Sequence, residues 1–365
     1  MKYDYLIAGA GFAGCVLAER LSSQLDKKVL LIDRRSHIGG NAYDSYNDDG
    51  IMIHNYGPHL FHTNDDRVFT YLSQFTEWRS YEHRVLSNVD GKLVPIPINR
   101  NTVNMLFNLD FHTEKEVLCF FENEREYIAD VKNSEDFVVS RVGKRLYSLL
   151  YEGYTRKQWG LEPRLLASSV CGRIPIRSNT DDRYFEDKYQ CIPLKGYTEM
   201  FKKMIEQKNI HLSLETSYKD IPAQIYDAII YTGSIDEFFE FSYGVLPYRS
   251  LRFEYKTLNM EYYQTLATIN FPNIFDYTRI NEWKYITGQK HKKTTITKEY
   301  PIAVGEPFYP IPTDENIALS KLYSAKAEKI SNIYFVGRLA SYRYYNMDQV
   351  VAQALKTFQS IAAKE

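Results

Sequence analysis

Tyr3-Asp4-Tyr5-Leu6-Ile7-Ala8, followed directly by Gly9-Ala10-Gly11-Phe12-Ala13-Gly14, decides the fold. The first six residues are a short β-prone run, and the glycine loop opens a helix expected to reach about Leu25. Val29 to Asp33 reads as the next strand, and its terminal acid stands 22 residues beyond Gly11. Strand, glycine loop, helix, strand and acid in this order form a dinucleotide-binding βαβ unit. Gly9 permits the tight turn, Gly11 lets the backbone approach a pyrophosphate, and Gly14 lets helix and sheet pack closely. The helix start, with Phe12 and Ala13, offers free N–H groups to the anion. Asp33 is expected to accept hydrogen bonds from the adenosine ribose.

Outward from this unit, Arg34 and Arg35 suggest a 2′-phosphate, but Asp33 would repel one; Arg34 stays a cofactor-binding candidate. His37-Ile38-Gly39-Gly40-Asn41 supplies a second glycine pair that a simple nicotinamide dehydrogenase does not need, with Gly40 and Asn41 as candidates. Asp227 to Thr232 reads as a strand ending at Gly233. Ile333 to Val336 is another, ending at Gly337-Arg338 before a helix from about Asp348 to Ala362. Together they suggest a cofactor larger than NAD running across the carboxyl ends of the sheet, as FAD does.

The fold class read from this pattern is α/β: an FAD-binding Rossmann-like domain, discontinuous in sequence, with a helical domain and an antiparallel sheet domain. The expected division is 1–80 with 190–240 and 331–365 for the cofactor domain, and 100–170 for the helical domain. The sheet domain takes 81–99 with 171–189 and 241–330. Val117, Leu118, Phe121, Phe137, Val138, Val142, Leu146, Leu149 and Leu150 fall at helical spacing. Strands are expected near Val85 to Ile98, where Pro95 and Pro97 argue for an edge, and near Leu251 to Tyr255, Gln264 to Asn270 and Thr294 to Tyr300.

Composition narrows the partners. The 365 residues balance 45 Lys+Arg against 46 Asp+Glu, which argues against nucleic acid. With 44% hydrophobic and 25% charged residues, neither disorder nor a membrane-embedded chain fits. No run reaches the ~20 apolar residues of a transmembrane helix. Cys15, Cys119, Cys171 and Cys191 form no CxxC pair, Asp4 interrupts any signal-peptide core, and a cytoplasmic location is expected. His54, His59 and His62 carry no metal motif, so no metal is expected.

The 31 tyrosines are the unusual number, and five of them fall in three segments dense in Gly, aromatic, Arg and amide residues without helical or strand period. These segments are His54 to Thr63, Glu152 to Gly160 and Gly337 to Asp348. Aromatic faces with convergent arginines suit a polar ring and a diphosphate.

GAGFAG, HIGGN, YGPHLFHT, GYTRKQWG, RIPIR, YTRI and GRLASYRYYNMD, in this order, resemble the UDP-galactopyranose mutase family. The resemblance runs from Tyr3 to the C-terminal helix, and GYTRKQWG with the late GRL/YRYY segment is its most specific part. It implies interconversion of UDP-galactopyranose and UDP-galactofuranose, with sugar C1 held covalently on N5 of reduced FAD. It further implies a UDP-sugar substrate, an electron donor for the flavin with NAD(P)H as candidate, and a homodimer. Residue by residue, Arg173 and Arg279 look like the diphosphate-clamping arginines and catalytic residues. Tyr184, Tyr309 and Tyr344 match tyrosines on the phosphates. Tyr154 and Trp159 match the uridine and sugar region, Asn270 an amide near the uracil and Glu299 an acid near the sugar. Arg338 matches an arginine near flavin and substrate, and His59 and His62 match residues beside the isoalloxazine. Gly337 and Met347 complete the cofactor candidates.

The sequence departs from that pattern at three places. Asn346, a substrate-binding candidate, stands where an Asp is familiar; His83 replaces an Asn, and Leu150 with Tyr151 replaces two Phe. A mutase for an N-acetylated or deoxy sugar nucleotide, UDP- or TDP-linked, is therefore the alternative. An FAD-dependent oxidoreductase and an inactive UDP-binding protein are further ones.

Overall fold

A computed structural model describes residues 2–365. Five parallel strands form the nucleotide-binding sheet in the order Ile210–Ser213, Val29–Ile32, Tyr3–Ala8, Tyr226–Tyr231 and Ile333–Phe335. Both faces of this sheet are covered, so its central strands are apolar almost throughout. Ile7, Leu31 and Ile230 face the large core with the first helix, while Leu6, Leu30 and Ile229 face a smaller cluster behind. The first helix spans Phe12–Leu25 and packs against the C-terminal helix Met347–Ala362, whose Val351, Ala354 and Ile361 are buried. Gly14 makes the turn possible, because a Cβ there would stand 1.8 Å from the Gly9 carbonyl oxygen.

The helical region contains Arg100–Phe107, Glu114–Glu124, Ser134–Tyr147 and Gly153–Trp159. Asn99, Thr113 and Asn133 cap the first three through their side chains, satisfying N–H groups that the helix leaves open. Val117, Phe121, Val138, Val142 and Leu146 form its buried stripe. A π-helical turn, Ser148–Glu152, feeds the last helix.

Seven strands make the third layer in the order Tyr309–Pro310, Tyr248–Leu258, Thr294–Ile302, Arg279–Glu282, Thr268–Asn270, Val85–Val89 and Lys92–Ile96. Lys92–Ile96 is an edge strand, as Pro95 requires. Neighbours are antiparallel except Thr268–Asn270 with Val85–Val89, which run parallel. Arg279–Glu282, between two expected strands, and the edge strand Ile210–Ser213 were not among the expected elements. Both are only four residues long. No helix among the described residues is long and apolar enough to cross a membrane.

Candidate active site

Two cavities share part of their lining, and the first lies at the carboxyl ends of the parallel strands. The first, of about 440 Å³, is lined by Gly9, Gly11, Phe12, Ala13, Asp33, Arg34, Gly40, Asn41, His59, Gly337, Arg338 and Met347. Its walls suit a dinucleotide. Gly11 and Gly40 approach so closely that a Cβ on Gly40 would lie 3.1 Å from the Gly11 Cα, leaving bare backbone toward a phosphate. Asp33 accepts from the Ala10 N–H at 2.8 Å and the Arg35 N–H at 2.9 Å. A carboxylate has about four acceptor sites, so capacity remains for ribose hydroxyls. Arg34 lines the cavity but ion-pairs with Glu237 at 3.0 Å. Gly14 lies behind the loop rather than on the cavity wall.

The second cavity, of about 1010 Å³, lies between the helical and seven-stranded layers. It is lined by His62, His83, Arg173, Tyr184, Asn270, Arg279, Glu299, Tyr309, Tyr344 and Asn346, among others. Asn41, His59, Phe308, Arg338 and Met347 line both cavities and mark the junction. Tyr154 and Trp159 stand in the layer behind the wall. The Tyr154 hydroxyl accepts from Arg279, and Trp159 packs edge-on to Tyr344 with centroids 5.8 Å apart.

Each polar group has a definite setting. Arg279 and Glu299 are register partners with Nε 3.4 Å from Oε2, and Asn281 donates to the other Glu299 oxygen at 2.6 Å. Arg173 lies over the Tyr344 ring at 3.8 Å, donates to the Tyr344 carbonyl at 3.0 Å and reaches Asn346 Oδ1. Arg338 donates to the carbonyls of Phe308 at 3.1 Å and Tyr345 at 2.7 Å. Burial holds the phenols of Tyr154, Tyr184 and Tyr309 above their ordinary range, so each is a neutral O–H donor. Burial pulls the imidazoles of His59 and His83 down to about 3. His59 Nδ1 lies 2.9 Å from the Gly57 carbonyl, which can only accept, so its Nε2 is a free acceptor. His62 Nδ1 meets Asp187 at 2.8 Å, and its ring stacks on Phe185 at 3.7 Å. Asn270 Oδ1 is buried without a protein partner.

Some lining residues escaped the sequence reading. Arg35 lies over Tyr56 at 4.3 Å and donates to Asn41 at 2.9 Å. Thr216, Ser217 and Tyr218 close the far end of the first cavity, and Phe308 lines the junction. Only Arg35, beside Arg34, carried any sequence signal. Among the described residues no cluster of His, Cys, Asp and Glu could hold a metal ion.

This geometry can hold a dinucleotide next to a diphosphate-bearing ligand, and the relatives of the chain fit it. Residues 149–344 match the family described as UDP-galactopyranose mutase, and residues 7–75 match an NAD(P)-binding Rossmann-like domain. A probable UDP-galactopyranose mutase of Klebsiella pneumoniae is 39% identical over 97% of this chain and 93% of its own length. A dTDP-fucopyranose mutase of Escherichia coli is 34% identical over 97% of both chains. A crystal structure of reduced UDP-galactopyranose mutase shares the fold, with a TM-score of 0.81 at 15% identity over 100% of this chain and 96% of that one. Since full-length relatives and the family match agree, the chain belongs to the UDP-galactopyranose mutase family and is a sugar-pyranose mutase.

Proposed function

We propose that the protein interconverts UDP-galactopyranose and UDP-galactofuranose with FAD in the first cavity and the UDP-sugar in the second. The observation that carries this reading is the shared wall at Asn41, His59, Phe308, Arg338 and Met347, where a dinucleotide cradle adjoins an arginine- and tyrosine-lined cleft. Reduced FAD supplies, when bound, an electron-rich N5 for sugar C1. Ring contraction exchanges the C1–O5 bond for a C1–O4 bond, with no net oxidation.

The residues of the chain do the remaining work. Arg173 and Arg279 present guanidinium forks to the diphosphate, and Tyr184, Tyr309 and Tyr344 add hydroxyl donors. These groups stabilise the negative charge of UDP as its bond to C1 breaks, and they retain UDP until the bond re-forms. Such preorganised donors are each worth about 10²–10³ in rate. Arg338 and the Nε2 acceptor of His59 orient the sugar at the junction. Asn270, with its unsatisfied carbonyl, suits an N–H of the pyrimidine base.

A second reading, a TDP-linked deoxy sugar as substrate, is favoured by the dTDP-fucopyranose mutase relative and by Asn346 and His83. A cytoplasmic site of action and NAD(P)H as reductant belong to the same proposal. UDP titrated into the purified flavoprotein should perturb flavin absorbance and fluorescence saturably, because the two ligands share a junction. Release of FAD on denaturation identifies the cofactor; a flavin spectrum indifferent to bound UDP contradicts the arrangement.

A further inference from the structure

Lys157 leaves the helix Gly153–Trp159 and ends among three backbone carbonyls of a single loop. Its ammonium donates to Phe271 O, to Phe275 O at 2.8 Å and to Tyr277 O at 3.1 Å. An ammonium carries three donors and no acceptor, so these carbonyls saturate it. They belong to the connection between the strands Thr268–Asn270 and Arg279–Glu282, whose register pairs Asn270 with Arg279 at the mouth of that connection. The helix bearing Lys157 also bears Tyr154 one turn earlier, and Tyr154 accepts from Arg279.

The two ends of this loop are anchored in the sheet: Phe271 and Tyr277 are buried, the Phe271 N–H donates to the Thr278 carbonyl at 2.8 Å, and the Thr278 N–H donates to the Glu299 carbonyl at 2.9 Å. Between these ends Ile274 and Phe275 are 50% and 45% exposed, with Phe275 stacked on Tyr277 at 4.8 Å, and the side chains that tie this part of the loop to the helical region are Lys157 and Asn273. Asn273 Nδ2 donates to the Leu149 carbonyl at 3.2 Å. Gly153 lets the loop approach, since a Cβ there would lie 2.2 Å from Asn273 Oδ1 and 2.7 Å from Pro272 O. On its other side the helix is fixed by Arg249, which donates to the carbonyls of Gln158 at 3.0 Å and Lys157 at 3.3 Å. Three carbonyl dipoles converging on one point repel each other unless a positive charge sits between them. Burial draws the Lys157 ammonium down to about 8, against the opposing charge of Asp276.

We infer that Lys157 is a positioning residue for nucleoside diphosphate binding: by gathering the 271–278 loop onto the helix of Tyr154, it sets Arg279 and Asn270 at the distance the ligand needs. This rests on the reading that Arg279 contacts the substrate diphosphate. A misplacement of about 1 Å at such a contact is enough for a tenfold or larger effect.

The test uses FAD-loaded full-length protein, with the Kd of UDP by calorimetry and KM and kcat under reducing conditions. Lys157→Met should raise both the UDP Kd and KM about tenfold while kcat at saturation falls less than about threefold. Lys157→Arg, which keeps charge and donors, should recover most of the affinity. In an Arg279→Lys background the Lys157→Met effect should shrink to less than about threefold, because both changes act on one contact. Wild-type Kd and KM in Lys157→Met, whatever its melting temperature, overturn the inference, as does a tenfold effect undiminished in the Arg279→Lys background. Should Lys157→Met prove insoluble, Lys157→Gln, which removes the charge and keeps much of the length, takes its place: a raised UDP Kd supports the inference and an unchanged one overturns it. A wild-type Kd in Arg279→Lys itself overturns the underlying reading and the inference with it. Weakened Arg279→Lys beside normal Lys157→Met overturns the inference alone.

Discussion

Arg279 and Glu299 face each other in register across two antiparallel strands, and Glu299 is almost fully buried beneath the arginine. Burial raises the Glu299 carboxyl above its usual range, while Arg279 and the Asn281 amide pull it back toward the charged form. The pair aims the guanidinium: one side is held by the acid and another by Tyr154, leaving the rest to the cleft.

Removing the acid should expose this dependence. Glu299→Ala leaves Arg279 without its buried counter-charge and is expected to cost about 2–4 kcal/mol of stability. Glu299→Gln, which keeps the shape and an oxygen for Asn281, should cost less. Urea denaturation of the three proteins side by side measures the difference, and equal midpoints for the two variants would refute the role of charge.

The two cleft arginines should be needed for turnover and not for holding the cofactor. Arg173→Ala and Arg279→Ala are each expected to lower kcat/KM by about 10²-fold or more, with the flavin content of the purified protein unchanged. Near-normal kinetics in both would remove them from the site.

Much of this arrangement was legible locally. The glycine loop and Asp33 announce themselves because turn, helix start and acid lie within one short stretch of chain. The buried stripe Val138, Val142 and Leu146 follows from helical period alone. The pairing of Arg279 with Glu299 has no such signal, since register between strands is set by packing and long-range hydrogen bonds. Lys157 carries no local signal either, because its carbonyl partners lie more than a hundred residues away in the sequence. The resemblance named Tyr154 and Trp159, and the fold sets both one layer behind the cleft surface, where they brace Arg279 and Tyr344.

Asn346 offers Arg173 an amide oxygen where an acid would neutralise it. Asn346→Asp should create an ion pair of about 0.5–1 kcal/mol that competes with the diphosphate. The UDP Kd should therefore rise about two- to fivefold at low salt, and the difference from wild type should narrow as salt screens the pair. Calorimetric titrations at two ionic strengths check this; tighter binding by the Asp variant would contradict it.

Acid should unfold the protein through its buried histidines. Burial lowers His54 and His83 from 6.5 to about 3. The unfolded chain thus takes up protons on both below pH 6.5 while the folded chain does not until near pH 3. Their contribution to stability is intact above pH 6.5 and erodes on acidification, by up to about 1.4 kcal/mol per pH unit per histidine. His83→Asn should flatten the fall in melting temperature between pH 6.5 and 4, and an unchanged slope would count against burial as the cause.

The central claim is a redox-neutral isomerisation that needs reduced flavin. It is tested most directly by anaerobic turnover, with and without dithionite, of UDP-galactose, UDP-N-acetylgalactosamine and a TDP-deoxyhexose, with products resolved by chromatography and mass. A furanose of unchanged mass, formed from UDP-galactose only by the reduced protein, is the predicted result. Failure of the reduced, FAD-loaded protein to isomerise any of the three, or a product two hydrogens lighter than its substrate, would contradict the account.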